Sequence, residues 1–386
     1  MITNDKKTQC LRWLEIDLSK IEHNIKEFQQ LLGDTNIGVV VKSNAYGHGL
    51  LEIAKTAVKA GVSCLFAVSI EEALQLRENG IKIPVVIIGY VPEWSITMAA
   101  KNNISVALYS FNQAEAYEKE LAEARLKIKV HVKIDTGIGR LGILPNDSLS
   151  FFQKVEKFKY IEIEGMYSHF ADAETPEIPY TNKQVKLFYS VLNKLKAAGL
   201  EPPIKHMAGS AASLMVPKSR FNLIRLGIST YGLWPSKETE IASRYKNKLK
   251  KVKLLPAMSY MTRIVQIKIL PLGYSVGYGC TYKTPRPTRI GVIPVGYADG
   301  YDRHLSNLGR VIVKGKFAPI VGIICMNMCM VDLTDIPEAK EYDEVVLFGE
   351  QNGEMIKVEE LADKIGTINY EVTTRIPESV KRIFIY

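Results

Sequence analysis

From Trp13 to about Ile228 the chain alternates short apolar, β-branched runs with amphipathic stretches. Runs at 13–16, 38–41, 64–68, 84–88, 105–108, 130–134, 164–168, 204–207 and 222–226 have the length and content of buried parallel strands. Between them, 70–79, 112–123 and 182–198 place apolar residues at three-and-four spacing, and Gly61, Gly80 and Gly199 stand where helices would end. Eight or nine such units predict a closed (β/α)8 barrel rather than an open sheet.

Beyond about Lys250 the texture changes. Segments 261–269, 289–295, 310–313, 318–323, 328–333 and 344–348 alternate and are separated by Gly, Pro and Asp. They predict a mainly antiparallel β domain with one helix near 358–365. The expected division is a barrel over 12–243 and a β domain over 254–386, with the first 11 or so residues as candidates to pack with the latter. Segment 243–253, charged and closed by Pro256, is the expected linker.

Length changes this picture little, because 386 residues already favour two domains. The balance of 47% hydrophobic and 24% charged residues is that of a folded globular chain. Net charge is +9, yet the only dense basic cluster lies at 244–253, so a solvated connector is expected and no nucleic-acid partner. Five cysteines without a Cys-x-x-Cys pair argue against a disulfide framework or a metal site. No signal-like segment and no run near ~18 apolar residues is present, so a cytoplasmic location and no membrane partner are expected.

The candidate chemistry begins at Lys42, where Val39-Val40-Val41 gives way to Ser43-Asn44-Ala45-Tyr46-Gly47-His48-Gly49. A lysine at the carboxyl end of a barrel strand is placed for catalysis, and burial there favours a neutral amine able to form a Schiff base. Helix is expected from His48 onward. Tyr46 can donate to a phosphate, and Gly47 and Gly49 would let backbone approach a ligand closely. An isolated lysine would more often begin a solvated loop; its neighbours reverse that reading.

This stretch closely resembles the pyridoxal-phosphate lysine motif of the alanine racemase family, and the resemblance extends from about residue 14 to 376. It implies pyridoxal 5'-phosphate as cofactor and a two-base racemisation of alanine, with Lys42 and Tyr278 on opposite faces of the planar intermediate. Tyr278 lies in Ser275-Val276-Gly277-Tyr278-Gly279-Cys280, similar to the family's second-base motif. A phenol with an ordinary pKa of about 10 needs a proton relay, and His169 at a strand end is the candidate. Arg225 matches the arginine facing the pyridine nitrogen, where guanidinium donates a hydrogen bond without giving up a proton.

The same resemblance makes Tyr46, Ser210, Gly227, Ile228 and Tyr370 phosphate ligands. Ser210 would add a hydroxyl and a helix N-terminus, although alone it would be read as an N-cap. In Lys133-Ile134-Asp135-Thr136-Gly137-Ile138-Gly139-Arg140 a tight turn would aim Arg140 at the substrate carboxylate. Lys133 matches a lysine that is carbamylated in many family members. Tyr297 matches a residue of the substrate corridor, and the Met326 backbone N–H matches a carboxylate donor. The family also implies a head-to-tail homodimer with shared sites, and D-alanine would serve cell-wall precursor supply.

Asn327, Gly209 and Gly277 depart from the usual aspartate, asparagine and serine. They leave open a serine or broader-specificity racemase. A barrel-fold pyridoxal decarboxylase would be expected to place a carboxylate where Arg225 stands, and a non-catalytic pyridoxal carrier would not need the β domain.

Overall fold

A computed structural model describes residues 10–175, 179–246 and 252–386. The basic cluster and linker expected over 243–253 thus fall partly on 247–251, outside the described residues, as do 1–9. The described residues divide into two compact units, one holding Ile21–Ala45 and Leu50–Leu255, the other residues 10–20, Tyr46–Gly49 and Pro256–Tyr386.

In the first of these, β2 (Asn36–Val40), β3 (Cys64–Ala67), β4 (Val85–Ile87), β5 (Ile104–Leu108), β6 (Ile128–Lys133), β7 (Ile161–Tyr167), β8 (Ile204–His206) and β9 (Leu223–Leu226) close into a parallel barrel. Closure is made by β2 against β9, with Ile37 opposite Ile224 and Val39 opposite Leu226. The expected helices are present over Ile70–Glu78, Phe111–Ala124 and Pro179–Ala197. Ser69 and Ser110 cap the first two, each hydroxyl accepting from a backbone N–H three residues on. Val39, Leu65, Val106, Val130 and Val132 are fully buried, which is why these strands read as continuous apolar runs.

Three expectations are corrected. Segment 13–16 is not a barrel strand: β1 (Arg12–Asp17) pairs antiparallel with β10 (Met258–Arg263) and parallel with β20 (Lys381–Ile385) in the other unit. Its Trp13, Leu14 and Ile16 suit either sheet, so only pairing decides. Segment 261–269 is two strands, β10 and β11 (Gln266–Leu270), broken where Ile264 turns inward. Helix begins at Leu50 rather than His48, because Gly47 and Gly49 hold φ at 83° and 105°.

The second unit is built on one sheet in the order β11, β14 (Thr288–Ile293), β17 (Cys329–Asp332), β16 (Lys316–Val321), β15 (Arg310–Val313), β18 (Glu344–Gln351), β10, β1, β20, with β19 (Glu354–Ile356) paired on β18 and β12 (Ser275–Val276) with β13 (Tyr282–Lys283) as a separate antiparallel pair. All these pairings are antiparallel except β1 with β20. The expected helix spans Val358–Ile365, and a short one follows at Asn369–Thr374. Among the described residues no helix is long and apolar enough to cross a membrane.

Candidate active site

Lys42 follows β2 at the carboxyl end of the barrel and opens a left-handed turn in which Ser43, Asn44, Ala45 and Tyr46 hold φ between 52° and 54°. Such a run costs about 1–2 kcal/mol per non-glycine residue, so the surroundings must enforce it. The Glu72 carboxylate does so by accepting from the Ser43 N–H at 2.6 Å, while Asn44 Oδ1 accepts from Leu50 N–H at 2.7 Å. Burial lowers the Lys42 pKa, assisted by the charges of Arg140 and Arg225 and opposed by Glu72. Burial thus works against the ammonium form at this strand end, in the direction the sequence suggested.

Lys133 ends β6 and is 3% exposed, its ammonium 5.7 Å over the Tyr167 ring. Burial, then Arg140 and Arg225, bring its pKa down to about 8. The loop after it is folded on Asp135, whose Oδ1 accepts from the N–H groups of Gly137, Ile138 and Gly139. Arg140 leaves this loop exposed, with its charge acting on Lys42, Lys133 and His169.

His169 follows β7, held by Gln184 Nε2 donating to its carbonyl at 3.2 Å. Its Nδ1 lies 3.2 Å from Arg225 Nη2. Guanidinium can only donate, so Nδ1 is the bare nitrogen and Nε2 carries the proton. Burial and then Arg225 hold the imidazole well below its ordinary pKa, hence neutral.

Arg225 is 4% exposed and spends its donors on the carbonyls of His206, Ser168 and Met207 and on Nδ1 of His206 at 2.8 Å. His206, in turn, is stacked flat on Tyr167 with ring centroids 4.9 Å apart and reaches His131 at 2.9 Å. His131, His206 and Glu164 escaped sequence reasoning as functional candidates. The available signal was His131 set between Val130 and Val132; Glu164 and His206 share their strands with Glu162 and Lys205, so polarity alone does not mark them.

Ser210 is corrected from an N-cap to the first residue of helix Ser210–Met215, with Gly209 at the cap. Its Oγ accepts from Gly227 N–H at 3.0 Å and more weakly from Ser229 N–H. Ile228 begins the short turn that follows. The buried Ser229 hydroxyl beside these amides finds no partner among the described residues. Above Gly209 there is space, since an added Cβ would meet nothing closer than His169 Cε1 at 3.8 Å. Neutral donors, an orphan buried hydroxyl, open space and a desolvated amine form a set that fits a phosphorylated aldehyde.

In the other unit, the rings of Tyr46 and Tyr370 meet at 6.0 Å. The expected role of Gly47 and Gly49 in admitting a ligand is corrected, because each makes room for the chain itself. A Cβ on Gly47 would lie 2.2 Å from the Thr373 carbonyl oxygen, and one on Gly49 would lie 2.8 Å from Phe384. Tyr278 is 70% exposed, on a turn framed by Gly277 and Gly279 at φ 74° and 71°. Tyr297 and Met326 are also exposed, on loops clasped by Tyr297 N–H to Cys325 O and Ala298 N–H to Met326 O. The Asn327 amide donates to Asp299, a buried carboxylate that also holds Arg12 at 2.8 Å.

A parallel barrel with a desolvated lysine, a buried arginine and neutral anion donors at its carboxyl end defines a class of cofactor-dependent enzyme. Residues 16–235 match the model of the alanine racemase N-terminal domain, and 257–384 that of the alanine racemase C-terminal domain. The chain is 39% identical to the alanine racemase of Methanococcus maripaludis, over 97% of this chain and 98% of that one. Among solved structures it is similar to alanine racemase from Clostridium difficile, at 36% identity and TM-score 0.91 over 98% and 96% of the two chains. It is also similar to a histidine racemase from Leuconostoc mesenteroides, at 28% identity and TM-score 0.88 over 98% and 99%. The chain belongs to the alanine racemase family, whose members are pyridoxal-phosphate-dependent racemases.

Proposed function

We propose that this protein interconverts L- and D-alanine with pyridoxal 5'-phosphate held at Lys42. The single observation that carries the reading is the Lys42 amine at a barrel strand end, its pKa lowered by burial and then by the charges of Arg140 and Arg225. When bound, the cofactor supplies an electron sink for the bond between Cα and its hydrogen.

The residues divide the remaining work. Lys42 Nζ takes or returns the α-proton on one face, and the Tyr278 phenol does so on the other. His169 is the relay for the proton of that phenol, through the Nε2 that its bond to Arg225 leaves open. Arg225 donates to the ring nitrogen without protonating it. Tyr46, Ser210, Gly227, Ile228 and Tyr370 bind the phosphate through neutral donors.

Arg140 and the Met326 N–H orient the substrate carboxylate, and Tyr297 narrows the approach. Lys133, half neutral near pH 8, is the group suited to react with carbon dioxide, giving a carbamate that holds Arg140. Tyr278, and with it the second face, is supplied by a head-to-tail partner in a homodimer.

A second reading is a racemase of broader specificity. It is favoured by the space over Gly209 and by the likeness to a histidine racemase.

The test is incubation with single L-amino acids in deuterated water, following chirality, α-deuterium and carbon dioxide. Inversion with α-deuterium on alanine alone supports the first reading, and inversion of several amino acids the second. Gas release, or a bound yellow cofactor without turnover, refutes both. Borohydride must fix the cofactor at Lys42, and Tyr278→Phe must slow inversion in both directions.

A further inference from the structure

A line of buried polar groups runs down the inside of the barrel from Arg225. His206 Nδ1 lies 2.8 Å from Arg225 Nη1, His206 Nε2 lies 2.9 Å from His131 Nδ1, and His131 Nε2 lies 3.3 Å from Glu164 Oε2. Both imidazoles are at most 1% exposed. Glu164 also accepts from Ser105 Oγ at 2.9 Å and Lys129 Nζ at 3.0 Å.

The direction of these bonds is forced by their ends. A guanidinium has only donors and a carboxylate only acceptors. His206 therefore presents a bare Nδ1 to Arg225 and carries its proton on Nε2. That proton needs a bare Nδ1 on His131, whose own proton then sits on Nε2 and points at Glu164. One proton lies in each gap, and each ring is held as a single neutral tautomer.

The geometry points to Glu164 and His131 as positioning residues for Arg225: anchored at the opposite mouth of the barrel, they fix the tautomer of His206 and so the lone pair that aims the guanidinium. Two further features support this. Gly165 leaves the gap that His131 fills, since a Cβ there would stand 2.4 Å from Nδ1. A cavity of about 110 Å³ lies where strands begin, lined by Asn36, Cys64, Pro84, His131, Glu164 and Asn222, and marks Glu164 as the solvent-side end. The hydrogen bond from His131 leads the causes that bring the Glu164 pKa down to about 2, which keeps this end an acceptor throughout the working range.

The inference rests on the reading that Arg225 faces the cofactor ring nitrogen, but its first test does not use activity. Nitrogen-15 spectra of the histidine-labelled holoenzyme cover only six histidines, each assignable by substitution. His131 and His206 should both show the Nε2–H tautomer. Glu164→Met, which removes the acceptor, should give His206 a measurable Nδ1–H fraction. It should also lower kcat about tenfold with KM held within about twofold. Glu164→Gln keeps an acceptor oxygen and should restore both. If the methionine variant does not fold, Glu164→Ala, which opens onto the cavity, takes its place.

A native Nδ1–H on His206, or a Glu164→Met protein with native tautomers and native kcat, overturns the proposal. Correct tautomers without racemisation overturn the proposed function instead, and racemisation with the wrong tautomers overturns this inference alone.

Discussion

The phenol rings of Tyr46 and Tyr370 lie with centroids 6.0 Å apart at 47°, joining the lysine motif at one end of the chain to the short helix Asn369–Thr374 at the other. If both hydroxyls serve one phosphate, Tyr46→Phe and Tyr370→Phe each remove one charge-assisted bond of about 1.5–3 kcal/mol. Cofactor dissociation, followed by fluorescence on dilution, should weaken by at least about tenfold in each variant. Unchanged retention in both would remove these tyrosines from the site.

Arg225→Glu exchanges a group that can only donate for one that can only accept, opposite the bare Nδ1 of His206. Inversion of alanine should fall on the order of 10²-fold, the usual cost of losing a preorganised donor. The fraction of turnovers ending in transamination, measured as keto acid formed per enantiomer inverted, should rise. An unchanged ratio would show that Arg225 does not control the electronics of the reaction.

Lys133 should leave a signature in the dependence of stability on pH. In the fold its pKa is about 8, against an ordinary 10.5. Between those values the unfolded chain binds more protons, so this group makes stability rise with pH through that window; below it, the buried charge is a constant cost. In buffer free of carbon dioxide, the urea midpoint of Lys133→Met should therefore exceed that of the native chain most at about pH 7 and least near 10.5. With bicarbonate, the native protein should gain a mass increment that acid removes, with activity restored alongside it. The variant should gain none.

Gly165→Ala tests the packing beneath the arginine. The new methyl would stand 2.4 Å from a ring bonded on both sides, so neither can yield without breaking a buried hydrogen bond. Overpacking of this kind costs about 1–3 kcal/mol, and thermal unfolding should shift down accordingly. A native melting temperature would mean that His131 is free to move.

The alternation of apolar runs and amphipathic stretches made the barrel legible, because both faces of each parallel strand are buried and each helix shows its own period. Lys42 was legible through its neighbours Tyr46, Gly47 and Gly49, and Arg225 only through the family resemblance, since charge at a strand end by itself reads as the start of a loop or as a rim residue. The membership of β1 was not. Trp13, Leu14 and Ile16 give residues 12–17 enough apolar content to pass for a barrel strand, and only pairing with Met258–Arg263 and Lys381–Ile385 assigns them to the other sheet.

The chain by itself determined which residue types stand at which strand ends, and therefore the family and its chemistry. Tertiary structure alone decided what Glu164, His131 and His206 are for. They come from β7, β6 and β8, and hydrogen bonds between side chains on separate strands leave no periodic trace along the chain. Burial is likewise a property of the folded neighbourhood, and it is burial, first among the causes, that leaves Lys42 and Lys133 with their lowered pKa values.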